Sequence, residues 1–242
     1  MIIQKNLYLS FARNSKFTSV NTLPMINFMQ RSIIEIYSVN IKLAYEHVFV
    51  YIRQLSIHLR NAMSLKKKES YQAVYNWQFV HSLILWSKLL AALVKTSNGI
   101  NEQLQPLIYP LIQCTIGTIK LIPTPRYYPL RFHCINALII LSNATNIYIP
   151  IIPFVLEVFD ITDFNKKHAT ISVKPLNMSF LLKLSKQQLH DKSFKDTLID
   201  IIYDNLILLL QHQSHDISFP ELVLPLVIRV SVFFCLIKAH KH

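Results

Sequence analysis

Gly99 and Gly117 are the only glycines in 242 residues, and this scarcity removes more folds than any other feature of the chain. Type I′ and II′ hairpins and phosphate-cradling loops need residues with φ > 0, which glycine supplies without a steric cost. Average usage is about 7%. A dinucleotide-binding fingerprint, a phosphate loop, a serine elbow and most many-stranded sandwiches are therefore excluded. What remains is apolar segments of helical period, joined by Pro, Asn and Ser corners. The expected class is all-α.

The first 20 residues show little periodicity and read as a poorly structured segment. Helical organisation begins at Asn21-Thr22-Leu23-Pro24, a polar cap followed by a proline that the first turn tolerates. Asn40 opens a second helix. Its apolar residues Ile41, Ala44, Tyr45, Val48, Ile52, Leu55, Leu59 and Ala62 recur at three- and four-residue spacing, which predicts one buried face. Glu46, Arg53 and Arg60 recur every seven residues on another face. A helix rich in leucine leads to Lys95, and Thr96-Ser97-Asn98-Gly99 supplies its terminator. Further helices are expected at about 104–142 (a pair), 147–160, 179–190, 193–212 and 220–238, where Pro225 reads as a kink or a delayed start. Successive pairs repeat at about 40 residues, the size of HEAT or armadillo units. The expected architecture is an irregular α-solenoid of HEAT/armadillo-like antiparallel helix pairs. It forms a single repeat domain over 21–238, with an exposed loop at about 163–177 and a short tail at 239–242.

Charge is unevenly distributed. Residues 1–156 carry 15 Lys/Arg against 4 Asp/Glu, a balance of +11, whereas residues 157–242 carry 10 against 9. The basic part points to a polyanionic or acidic partner, or to lysines that keep an apolar protein in solution. Two clusters concentrate it. Lys66, Lys67 and Lys68 fall between helices, where ammonium groups meet phosphates without desolvation. Arg126 and Arg131, with Tyr127, Tyr128 and His133, occupy the corner Ile122-Pro-Thr-Pro-Arg-Tyr-Tyr-Pro129 of the helix pair. Forked donors beside stackable rings suit single-stranded RNA. Arginine at a helix end also staples a corner by bonding orphan carbonyls, and both readings of Arg126 and Arg131 stand at this point.

No constellation for catalysis emerges, so an enzyme is not expected. His212, His215 and Asp216 form at most a weak metal cluster. Asp196, Asp200 and Asp204, at i, i+4 and i+8, read as a solvated acidic stripe or a docking face. Three dispersed cysteines, Cys114, Cys134 and Cys235, fit neither a disulfide framework nor a zinc site. They fit reduced thiols packed as small hydrophobes, and no cofactor is expected. The span 132–156 lacks Lys, Arg, Asp and Glu. It also contains Asn136, Asn143, Asn146, Pro150 and Pro153, which hydrocarbon would leave unsatisfied. The Asn143–Asn146 group reads as a turn, and no membrane association is expected.

Several runs resemble the nucleolar complex protein 2 family, in the family's order. They are Asn21–Gln30, Ala44–Ser64, Lys66–Ser87, Leu104–Cys114, Leu121–Ile139 (LIPTPRYYPLRFHCINALI), Tyr148–Asp160 and Ser218–Arg229. The resemblance covers about residues 21–229. It implies a non-enzymatic assembly factor for the large ribosomal subunit in the nucleolus and nucleoplasm, with an α-solenoid fold. The implied partners are the related nucleolar complex proteins 1 and 3, pre-ribosomal RNA and particle proteins. Family members are longer, with charged flanks, so the chain is expected to be a truncated or partial member. The RNA or partner contacts expected on it are Lys66, Lys67, Lys68, Arg126, Tyr127, Tyr128 and Arg131. The apolar residues around Leu222–Phe234 are the expected protein-docking face.

Overall fold

The computed structural model describes residues 2–96, 103–162, 164 and 176–239. Among these residues the chain is helical, with no strand. Where the sequence reading runs one domain over 21–238, the contacts group the chain into two compact units.

The first unit is built from α1 (Ile2–Asn14), α2 (Leu23–Ser38), α3 (Ile41–Leu65), α4 (Lys68–Val74), α5 (Trp77–Thr96), α6 (Gln105–Leu121) and α7 (Tyr128–Thr145), with the segment Met178–Lys183. Its helix boundaries follow local chemistry. Pro24, Pro106 and Pro129 occupy first turns, where a missing N–H costs nothing. The Asn40 side chain caps α3 by accepting from the Leu43 N–H at 3.1 Å. Asn146 closes α7 in the left-handed conformation (φ 55°), its N–H donating to the Ser142 carbonyl. Asn146 is thus the helix stop, while Asn143, expected in the turn, still lies within α7.

α5 and α7 make the most extensive pairing of this unit, while α3 lies on α6 and α2 on α5. Gly117 permits the α3–α6 approach, since a Cβ there would lie 2.7 Å from Leu59 Cδ2. The stretch Lys68–Val94 is long and apolar enough to cross a membrane, and 72% of its apolar window is buried inside the protein. Leu83, Trp86, Leu89 and Leu90 are fully enclosed there.

The N-terminal segment differs from expectation. It forms α1, in which Gln4, Tyr8 and Phe11 are buried, as is Ser15 just past its end. The Tyr8 ring lies 5.0 Å from Trp86 and 3.9 Å from Tyr51, and the Tyr8 hydroxyl is 3.1 Å from Ser82 Oγ. Tyr37 completes this aromatic group 6.0 Å from Trp86. Such rings bury large areas and add edge and stacking terms, enough to hold a helix of weak intrinsic pattern.

The second unit contains α8 (Ile152–Ile161), α9 (Lys192–Gln213) and α10 (Phe219–Ala239), with Thr124–Arg126. α9 buries Phe194, Leu198, Ile202, Asn205 and Leu209 along one side. Phe233 on α10 sits 4.3 Å from Phe159 and 5.1 Å from Phe164, and Arg229 pairs with Asp160. α10 runs through Pro225 without a break.

The helix expected at 179–190 is absent. Single 3-10 turns occupy Met178–Phe180 and Gln188–His190. The backbone between them is committed elsewhere. Leu184 N–H donates to the Arg126 carbonyl at 2.7 Å, and Ser185 and Gln188 exchange reciprocal side-chain to backbone bonds. The Ser185–Gln188 pair is a capping box, but it opens only the single turn Gln188–His190. The exposed loop expected at about 163–177 falls almost wholly outside the described residues, as do 240–242.

Candidate binding surface

Both basic clusters lie at junctions between helices, and the structure treats them differently. α3 ends at Lys66, which adopts the left-handed conformation (φ 51°, ψ 26°) and donates its N–H to the Ala62 carbonyl. A cation there complements the negative end of the helix dipole. Lys67 is extended and precedes α4, and Lys68 is the first residue of that helix. All three lysines are exposed. Arg53 and Arg60 are also exposed, two turns apart on α3. An accessible basic ribbon therefore runs along α3 into the lysine turn, with Ile57 (39% exposed) between the arginines and Val50 (51%) one turn before Arg53. Such a mixture of cations and apolar atoms suits an extended polyanion or an acidic protein surface.

The arginine corner is divided. Arg126 is exposed, in a single 3-10 turn Pro125–Tyr127. Tyr127 is half-buried, its ring edge-on to Tyr75 at 4.7 Å. Arg131 is only 4% exposed and Tyr128 only 1%. Both lie inside the first unit on α7, a helix buried nearly all round. The expected common edge of Arg126, Tyr127, Tyr128 and Arg131 is therefore corrected: Arg126 and part of Tyr127 are accessible, while Tyr128 and Arg131 belong to the interior. An aromatic ring paired edge-on with Phe132 at 6.5 Å is not offered to a base.

What fastens the corner is a residue that the sequence did not single out. Tyr75 Oη donates to the Thr118 carbonyl at 3.1 Å and accepts from the Ile122 N–H at 2.9 Å. It satisfies backbone groups at the frayed C-terminus of α6. Burial raises the Tyr75 hydroxyl well above the usual phenol range, so it stays protonated, although nearby Arg131 opposes this. No sequence signal marks it, since a tyrosine in an apolar helix ordinarily reads as core.

The remaining candidates are quickly placed. Asp196, Asp200 and Asp204 are exposed on α9, as are His212, His215 and Asp216 near its end. The described residues hold no group of three or more His, Cys, Asp or Glu side chains arranged to take a metal ion. Cys114 and Cys134 are buried and Cys235 is exposed. Burial pushes the Cys114 thiol up to about 11 and the Cys134 thiol up to about 12, which leaves both as unreactive packing groups.

Comparison with known proteins gives the chain a family. Residues 1–241 match the model of the Noc2p family. The chain is 48% identical over 231 residues to Nucleolar complex protein 2 of Drosophila melanogaster, covering 96% of this chain and 30% of that protein. It is 32% identical over 237 residues to Nucleolar complex-associated protein 2 of Arabidopsis thaliana, covering 98% of the chain and 30% of the relative. With Nucleolar complex protein 2 homolog of Caenorhabditis elegans the figures are 31% over 245 residues, 99% and 34%. The chain thus spans about a third of the length of these relatives, and it belongs to the Noc2p family.

Proposed function

We propose that this Noc2p-family chain is a non-enzymatic helical scaffold that acts in the nucleus, chiefly the nucleolus, during assembly of the large ribosomal subunit. Its partners are related nucleolar complex proteins of types 1 and 3, together with pre-ribosomal RNA and particle proteins. The observation that carries this reading is the family match over residues 1–241, with 48% identity to a relative named Nucleolar complex protein 2. We read the succession of paired helices as an irregular α-solenoid, a form that presents long surfaces to extended partners.

The mechanism is surface presentation. Arg53, Arg60, Lys66, Lys67, Lys68 and Arg126 supply exposed cations for RNA phosphates or acidic protein. The exposed apolar residues of α10, Leu224, Val227, Ile228 and Val232, supply a docking face for a nucleolar complex protein. Holding such partners together covers immature binding sites until later steps of maturation.

Filter binding of the chain to single-stranded RNA across a salt series tests the RNA half of the reading. Six phosphate contacts, one for each of these cations, give a log–log slope of about −4.2 for single strands. A flat profile supports the second reading, a protein-binding adaptor without nucleic-acid contact, which the apolar face of α10 favours.

A further inference from the structure

Within the first unit, two helical stripes face a common recess of about 210 Å³. Leu23, Asn27 and Gln30 come from α2 at helical spacing. Trp77, His81, Ile84 and Lys88 come from α5 at helical spacing, and His133 of α7 and Ser179 complete the lining. The recess holds a half-buried ammonium: Lys88 Nζ donates to Gln30 Oε1 at 2.9 Å, and Gln30 is itself 1% exposed. No Asp or Glu is among the lining residues. A lysine removed from water ordinarily has an anion beside it. Here it has a neutral amide, and its pKa falls through burial, with Arg31 adding to the effect.

A second observation points the same way. His81 is 4% exposed, its Nε2 lies 2.7 Å from Thr18 Oγ1, and its Nδ1 has no partner. Burial, with His133 and Lys88 nearby, pushes its pKa down to about 4, so the ring is neutral at physiological pH. If the Thr18 hydroxyl donates to Nε2, the ring proton sits on Nδ1 as an unused donor. Trp77 stacks on His81 at 5.2 Å and forms an apolar wall with Leu23 and Ile84. His133 is fixed with its proton on Nε2, which donates to the Leu181 carbonyl at 3.2 Å.

We propose that this recess is an anchor site for an acidic side chain of a protein partner. A glutamate or aspartate carboxylate takes Lys88 as its counter-ion and His81 Nδ1–H as a further donor. The charge fits a monoanion, because one ammonium between neutral imidazoles does not balance a phosphate dianion. The apolar wall fits the methylenes of the acidic side chain. The site goes beyond the proposed function, assuming only that the chain has a protein partner, and it shares no residue with Lys66–Lys68 or Arg126.

The test is an NMR titration of the full chain with N-acetyl-L-glutamate N-methylamide, following the Trp77 indole and the His81 and His133 ring resonances. The glutamine analogue and inorganic phosphate serve as comparison probes. Saturable shifts are expected with the glutamate probe, at least tenfold tighter than with glutamine or phosphate. Gln30→Glu places a carboxylate beside Lys88 and should abolish binding with an undiminished melting temperature, while Lys88→Met should abolish it whatever its stability. Equal binding of glutamate and glutamine, tighter binding of phosphate, or undiminished binding by Gln30→Glu would each overturn the proposal. Salt-dependent RNA binding survives all these outcomes, so failure here is distinct from failure of the RNA reading.

Discussion

The hydroxyl of Tyr75 accepts a hydrogen bond from the backbone N–H of Ile122 at 2.9 Å, although 47 residues separate them. The same oxygen donates to the Thr118 carbonyl, so one side chain closes the end of α6. A tyrosine thus staples this corner, whether or not an arginine does so too.

Tyr75→Phe keeps the ring against Tyr127 and removes only the hydroxyl. Two backbone groups then lose their partner near the protein interior, at a cost of about 1–3 kcal/mol. Denaturant unfolding should show a lower midpoint at unchanged m-value. A midpoint equal to the parent's would mean that water replaces the hydroxyl fully.

Arg126 and Arg131 should separate cleanly. Arg131 is 4% exposed, and truncating a buried, engaged arginine costs packing as well as charge, about 2–4 kcal/mol. Arg126 is exposed, and Arg126→Ala should change stability by less than about 0.5 kcal/mol. RNA affinity of the folded protein should respond to Arg126→Ala only. Comparing melting temperature with filter binding for each single variant checks this, and a stable Arg131→Ala with lost RNA binding would reverse the assignment.

The sequence exposed the helical class and most helix ends because those rest on local chemistry: Asn40 as a cap, Pro24 and Pro129 in first turns, Asn146 as a left-handed stop. It concealed α1 because the residues buried in that helix and just past its end are Gln4, Tyr8, Phe11 and Ser15, half of them polar, so hydrophobic period is absent. It misplaced Arg131 for a related reason. α7 is buried on nearly all sides, which erases the polar face against which an interior charge would stand out. The 179–190 segment has helical composition, but its Leu184 N–H is taken by Arg126, a bond set by tertiary structure. The lysine turn was legible because three consecutive cations at a helix boundary have nowhere to go but solvent.

Acid should weaken the fold through His81. Its pKa is about 4 in the native state against an ordinary 6.5, so between these values the unfolded chain binds the proton and the folded chain does not. Stability from this group is complete above about pH 6.5, declines as pH falls, and levels off below about 4. The contribution is on the order of 3 kcal/mol, and His133, also lowered by burial, acts in the same direction. Unfolding free energies at pH 7.5 and 5 should differ less in His81→Phe than in the parent. Identical pH profiles would assign the acid sensitivity to other groups.

The lysine turn offers the sharpest separation of binding from folding. Lys66, Lys67 and Lys68 are exposed, and replacing all three by alanine removes charge with little lost packing. If they contact single-stranded RNA phosphates, the log–log salt slope should become less negative by about 2, roughly 0.7 for each contact removed. A second variant uses the backbone of the same turn. Lys66 holds φ at 51° without being glycine, and Lys66→Gly relieves that strain, stabilising the fold by up to about 1 kcal/mol. It should reduce the slope by only one contact. The two variants therefore move stability differently while both weaken RNA binding, a pattern that a turn serving only solubility would not produce. An unchanged slope in the triple variant would remove the turn from the RNA surface and leave Arg53, Arg60 and Arg126 to carry it.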